Sequence, residues 1–286
     1  MEWQDGVGLK VQSIPEAANF PSCTVPAELY EADTSRAAVL LVPAIGTPAS
    51  YYRPFAKACA DHGYHVLLPE LPGNGASLPR PSWRFDYGYR ELVDDYLPGL
   101  VEEMRSRCGD VPLILIGHSL GAHAGMLATL QNRISVEALV TVAGGHIHYR
   151  NWVGKGSGRV RMFAWLVAGL SYAFGRVPGR YLGLGGPQAR TLMREWSRII
   201  RSGSFSHIAR QLERTASIPA LCIGYEGDFM APSKSVASLA HMLGGDMEWV
   251  PVDWPGNPHS SWARYPARTL ELVDDWLVAN NVVPAA

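Results

Sequence analysis

Cysteine is scarce and scattered in this chain. Cys23, Cys59, Cys108 and Cys222 are the four in 286 residues, and no Cys-x-x-Cys occurs. That spacing supports neither a zinc site nor a disulfide framework, and buried free thiols are the expectation. Met1-Glu-Trp-Gln-Asp5 has no basic start and no apolar core, so no secretory leader is read there. The longest apolar run, residues 162–174, has 13 residues and is too short to span a bilayer. A cytoplasmic protein without a transmembrane segment is the resulting expectation. An excess of one charge is also lacking, since 25 Lys and Arg meet 26 Asp and Glu for a net charge of −1. Leu71-Pro-Gly-Asn-Gly-Ala-Ser77 has glycines but no Gly-Lys-Ser/Thr, which argues against a phosphate cradle; the loop is expected to border the pocket. The arginines are spread among apolar residues without an RNA or DNA motif, so nucleic acid is not an expected partner.

What is present is ample apolar content, 47% of residues, enough for one large α/β domain with an insertion. Short apolar runs alternate with helical stretches from residue 37 to residue 143. Strands are expected over 37–42, 65–68, 111–116 and 136–143, and helices over 51–62, 86–107 (with Pro98 as a kink) and 120–130. Residues 7–12 and 24–32 read as an edge hairpin. This alternation argues for a parallel sheet with helices on both faces. It stops at residue 145 and resumes at 219–224, with a helix over 233–243, a strand over 247–253 and a last helix over 262–280.

Gly117-His118-Ser119-Leu120-Gly121 sits where the 111–116 strand turns into the 120–130 helix. A strand, a sharp turn and a helix with serine at the apex would hold the hydroxyl clear of the sheet. Small residues on either side would let neighbouring chain pass close by. The helix N-terminus behind the turn favours developing negative charge. Ser119 is therefore the expected nucleophile.

Together with the order of the strands and candidate acid and base after it, this motif resembles the α/β-hydrolase family over residues 35–280, as a serine hydrolase of esterase or thioesterase type. Pro43-Ala-Ile-Gly46 and Tyr51-Tyr-Arg-Pro-Phe55 are similar to a branch of bacterial hydrolases. The resemblance implies a mostly parallel sheet of about eight strands with helices on both faces and a helical cap insertion. It places the core in residues 1–144 and 216–286 and the cap in 145–215, between strands six and seven. It also implies a triad in chain order Ser, acid, His. Asp228, in Tyr225-Glu-Gly-Asp228 after a strand, matches the position of the acid, with Glu226 as fallback. His259, between the last strand and the last helix, matches the base. Leu120 N–H follows the nucleophile as one oxyanion donor. Relatives carry His-Gly before the other donor; here Pro43-Ala44 stands there, so Ile45 matches, with Gly46 as the alternative.

Gly46, His118, His146, His148 and Trp262 are the further residues that could line a pocket. For His118 the elbow turns the side chain elsewhere, which makes packing the expected role. His146 and His148 follow a strand end, but no carboxylate cluster joins them, so pocket lining or a cap hinge is expected rather than a metal site. No metal or cofactor is expected. Residues 145–215 hold twelve Lys or Arg against Glu195 and Glu213, a local charge of +10 over a body of −11. That split points either to an anionic partner or substrate, such as an acidic acyl carrier protein, or to a basic cap that docks onto the acidic body. The 162–174 run reads as a cap helix packed on the core, with an amphipathic lid for acyl chains or membrane as the alternative.

The expected activity is cleavage of an ester or thioester through an acyl-enzyme. Acyl transfer or cyclisation by the same triad is one alternative, and a non-catalytic binding protein on this scaffold is another.

Overall fold

The computed structural model describes residues 10–209, 212 and 215–285. Residues 7–9 of the expected first strand, and Arg210, Glu213 and Arg214 of the basic stretch, lie outside the described residues. Eight strands form one sheet: β1 (Lys10–Ile14), β2 (Ala27–Glu31), β3 (Ala37–Val42), β4 (Tyr64–Pro69), β5 (Leu113–His118), β6 (Ala138–Val142), β7 (Ala220–Tyr225) and β8 (Asp246–Val250). Their order across the sheet is β1-β2-β4-β3-β5-β6-β7-β8. β2 runs antiparallel to both its neighbours, and β3 to β8 pair in parallel throughout.

The helices are α1 (Arg53–Asp61), α2 (Tyr89–Glu91), α3 (Leu97–Cys108), α4 (Leu120–Leu130), α5 (Lys155–Ala173), α6 (Arg190–Ser202), α7 (Ser233–Leu243), α8 (Pro258–Ser261) and α9 (Ala267–Ala279). β3, β5, β6 and β7 are buried at every position because both faces are covered, and His118 and Thr141 are their polar exceptions. Ala38, Leu40, Val42, Leu113 and Leu115 pack with residues of α3, α4 and α7 on one face. Ala37, Val39, Leu41, Ile114 and Ile116 pack with α1 and α9 on the other. Every residue of α4 is buried, which explains its run of small and aliphatic side chains without a polar stripe.

Two expected helices depart from their expected course beside a proline. The 86–107 stretch begins only at Tyr89, and residues Leu92–Tyr96 form a widened turn in which Leu97 N–H reaches the Leu92 carbonyl. Pro98 follows in the first turn of α3; its missing N–H is the local reason the ladder changes pitch. The expected 262–280 helix begins only at Ala267, just after Pro266, and α8 is a separate short helix that ends before Trp262. Of the cysteines, Cys23, Cys59 and Cys222 are buried and Cys108 is half-buried, all as free thiols.

Between β6 and β7 the chain leaves the sheet to form α5 and α6, which pack on each other. α5 buries Ala164, Val167, Ala168 and Ser171, so it is packed along one side. The other side of the 162–174 run is open to solvent, unlike a helix enclosed by the core. Asp86 ties this segment to the body by accepting from Thr191 N–H at 3.0 Å and pairing with Arg190 at 3.0 Å. Glu195 accepts Tyr89 N–H at 2.8 Å.

Candidate active site

From β3 the chain goes to β4 on one side, and from β4 it crosses back past β3 to β5 on the other. Such a switch point opens a crevice at the carboxyl ends of the two strands. The loop after β3 and the turn after β5 meet there. Ser119 sits in that turn with φ 51° and ψ −103°, a positive φ that a side chain tolerates only when its surroundings enforce it. The glycines beside it are the enforcing features. A Cβ on Gly117 would lie 2.5 Å from the Gly121 carbonyl carbon, and one on Gly121 would lie 2.4 Å from the Val42 carbonyl oxygen. The turn is thus wedged against the end of β3, and Ser119 remains half-buried at its apex.

Asp228 follows β7 and is 4% exposed. Its Oδ1 accepts the N–H groups of Met230 at 2.7 Å and Ala231 at 3.1 Å. Its Oδ2 stands 2.8 Å from His259 Nδ1. A carboxylate held by two amides only accepts, so His259 carries its proton on Nδ1 and presents Nε2 as a lone pair. No hydrogen bond occupies that Nε2 among the described residues. The turn bearing His259 is fixed by Asn257, whose side chain accepts His259 N–H at 3.1 Å. Glu226, the fallback acid, is exposed and does not reach His259.

His118 has no accessible surface. Its Nε2 lies 2.8 Å from the His259 carbonyl, an atom that only accepts, so Nε2–H donates. Burial first, and then His259 beside it, hold His118 well below the usual imidazole value, so the ring is neutral and Nδ1 is an acceptor. Tyr52 O–H donates to that Nδ1 at 2.6 Å and in turn accepts Ala44 N–H at 2.9 Å. One buried chain of hydrogen bonds therefore runs from the loop after β3, through Tyr52 and His118, to the backbone of His259. Tyr52 was legible only as part of the Tyr51–Phe55 resemblance; no spacing rule points to its role. Trp262, also without accessible surface, packs on Tyr52, Phe55 and His118 with ring centroids 5.0–6.0 Å apart. His118 and Trp262 thus form a wall behind His259 rather than an open lining.

The backbone N–H groups of Leu120 and Ile45 carry no hydrogen bond among the described residues. Gly46, at φ +66°, lies against the inserted segment, where an added Cβ would meet the Leu184 carbonyl at 1.9 Å. The Leu71–Ser77 loop is stitched to the same segment by Gln188, whose amide donates to Asn74 Oδ1 at 3.3 Å. His146 and His148 do not join the Ser119 group through any hydrogen bond. His146 Nε2 donates to the Gly203 carbonyl at 3.1 Å, which links the segment after β6 to the end of α6. Among the described residues no group of three His, Cys, Asp or Glu side chains could hold a metal ion. No described helix is long and apolar enough to cross a membrane.

The mouse (Mus musculus) sn-1-specific diacylglycerol lipase ABHD11 is 29% identical over 128 residues, 44% of this chain. The match spans 39% of the mouse protein's own length. Among solved structures, a soluble variant of the monoglyceride lipase of Saccharomyces cerevisiae superposes with a TM-score of 0.72 at 14% identity, covering 95% of this chain and 97% of that one. A thermostable carboxyl esterase from Bacillus coagulans gives a TM-score of 0.69 at 13% identity, covering 96% and 99%. At these identities the structural likenesses establish the fold. A profile of the alpha/beta hydrolase family matches residues 39–279. The matched span takes in both the β3 loop that meets the Ser119 turn and the α8 turn that carries His259, and this chain belongs to the alpha/beta hydrolase family.

Proposed function

We propose that this protein is a serine hydrolase that cleaves a carboxylic ester or thioester through an acyl-enzyme. The observation that carries the reading is the 2.8 Å pairing of His259 Nδ1 with an Asp228 carboxylate already held by two amides. It fixes the imidazole in the tautomer a general base needs. In this reading His259 Nε2 takes the Ser119 hydroxyl proton as Oγ attacks the substrate carbonyl. The N–H groups of Leu120 and Ile45 receive the negative oxygen, with the α4 N-terminus adding to the stabilisation. His259 then returns the proton to the leaving alcohol or thiol. Water repeats the sequence to release the acid and regenerate Ser119. The elements between β6 and β7 act as a cap over this site. The three relatives, two lipases and a carboxyl esterase by name, support an ester substrate.

Fluorophosphonate labelling followed by peptide mass spectrometry tests the reading. The expected result is one adduct, on Ser119, that competes with hydrolysis of p-nitrophenyl esters. An adduct on another serine, or none, overturns it.

A further inference from the structure

The outward side of α5 is an apolar strip in a basic surround. Met162, Trp165, Leu166 and Tyr172 are 69%, 57%, 51% and 68% exposed. Their spacing puts them on one stripe of the helix, opposite the buried Ala164, Val167, Ala168 and Ser171. Past the C-terminal end of the helix, exposed Trp83 packs on Gly175 beside exposed Phe174. The 19 residues of α5 alone give it a length of about 28 Å. Contiguous exposed apolar surface of this kind marks an interaction face.

Its charge is one-sided. Between Glu137 and Glu195 the chain has no Asp or Glu and eight Lys or Arg. Among the described residues Arg190 alone of these eight is ion-paired. Guanidiniums also lie directly on the rings, Arg201 at 4.1 Å over Trp165 and Arg194 at 4.5 Å over Tyr172. Stacking leaves the charge of both guanidiniums in place; Arg201 Nε donates to the Ser197 carbonyl at 3.1 Å.

We propose that this face docks on an anionic lipid bilayer. Met162, Trp165, Leu166 and Tyr172 enter the interfacial layer, and the surrounding arginines meet headgroup phosphates. An acidic protein could match the charge. It would also need an apolar strip as long as α5, whereas a bilayer offers apolar depth and anionic charge along the whole helix. The proposal is independent of the serine chemistry, so Ser119→Ala should bind vesicles like the unaltered chain.

Co-sedimentation of the full chain with vesicles of phosphatidylcholine plus phosphatidylglycerol, against phosphatidylcholine alone, tests it. Binding to the mixed vesicles, weakened by salt, is expected. Trp165→Ser with Leu166→Ser should lower partitioning by about tenfold or more, with melting temperature and turnover of soluble p-nitrophenyl acetate unchanged. Arg159→Gln and Arg176→Gln should each cost about fivefold on mixed vesicles and nothing on neutral ones. Absence of vesicle binding overturns the proposal, as does equal binding by the Trp165/Leu166 variant. A dimer dissolved by that variant would hand the face to a second copy of the chain. A salt-sensitive complex with an acidic carrier protein, without vesicle binding, would hand it to that protein.

Discussion

His118 Nε2 donates to the carbonyl oxygen of His259 at 2.8 Å, joining the residue beside Ser119 to the backbone of the proposed base across 141 positions of sequence. The same ring accepts a hydrogen bond from the Tyr52 hydroxyl on its other nitrogen, so the β3 loop and His259 share one support. His118→Phe fills the volume but removes both bonds. The turn bearing His259 should then shift, lowering kcat by about 10²-fold while KM stays near its original value. Fluorophosphonate labelling of Ser119 should slow without being abolished. A kcat within twofold of the original would show that packing alone seats His259.

Asp228→Asn replaces an acceptor with an amide that can present N–H to Nδ1 and favour the wrong imidazole tautomer. Turnover should fall by about 10²–10⁴-fold. Glu226→Gln, at an exposed position, should leave it unchanged. His259→Ala and Ser119→Ala should each remove at least about 10³-fold, and the double variant should be no worse, because the groups act as a unit. The kinetics of these variants on one p-nitrophenyl ester check the assignment.

Gly46 and Gly185 meet backbone to backbone at positive φ, +66° and +70°. In Gly46→Ala the new methyl would lie 1.9 Å from the Leu184 carbonyl oxygen, so the inserted segment must lift away from the β3 loop. The clash and the strained φ together should cost about 1–3 kcal/mol and lower the thermal midpoint by roughly 2–10 °C. Scanning calorimetry and ester turnover on the same preparation would record both effects. An unchanged midpoint would mean that the contact is loose.

Burial, chiefly, and also Glu91 and Asp86 nearby raise Glu195 from its ordinary 4.5 to about 7, against the opposing effects of the Tyr89 N–H and Arg194. The folded protein therefore holds this proton more tightly than the unfolded chain does. Its contribution to stability is full below about pH 4.5 and is lost as pH rises toward 7. Glu195→Gln should flatten that part of the stability-against-pH curve, as measured by thermal midpoints across the range. A parallel slope in the variant would assign the dependence to other groups.

The sheet was legible in the sequence because a strand buried on both faces must be apolar at every position, as 37–42 and 111–116 are. The Ser119 turn was legible because its sterics demand small residues at fixed offsets, Gly117 and Gly121, around one serine. Pro98 marks a disturbance in the 86–107 stretch, but the widened turn before it was not legible, nor was the restart at Pro266. Proline limits a helix locally, but whether the chain kinks, widens or restarts depends on what it packs against.

The sequence by itself determined the parallel sheet, the apex position of Ser119 and the strand ends at which Asp228 and His259 arrive, since those depend on local periodicity and steric rules. Only the tertiary structure decided that Asp228 rather than Glu226 meets His259. It also brought Tyr52 and His118 into one line behind His259 and left one side of α5 open to solvent. Those outcomes depend on contacts between segments tens to hundreds of residues apart. Such contacts are set by how helices pack across the sheet, and no spacing rule along the chain encodes them.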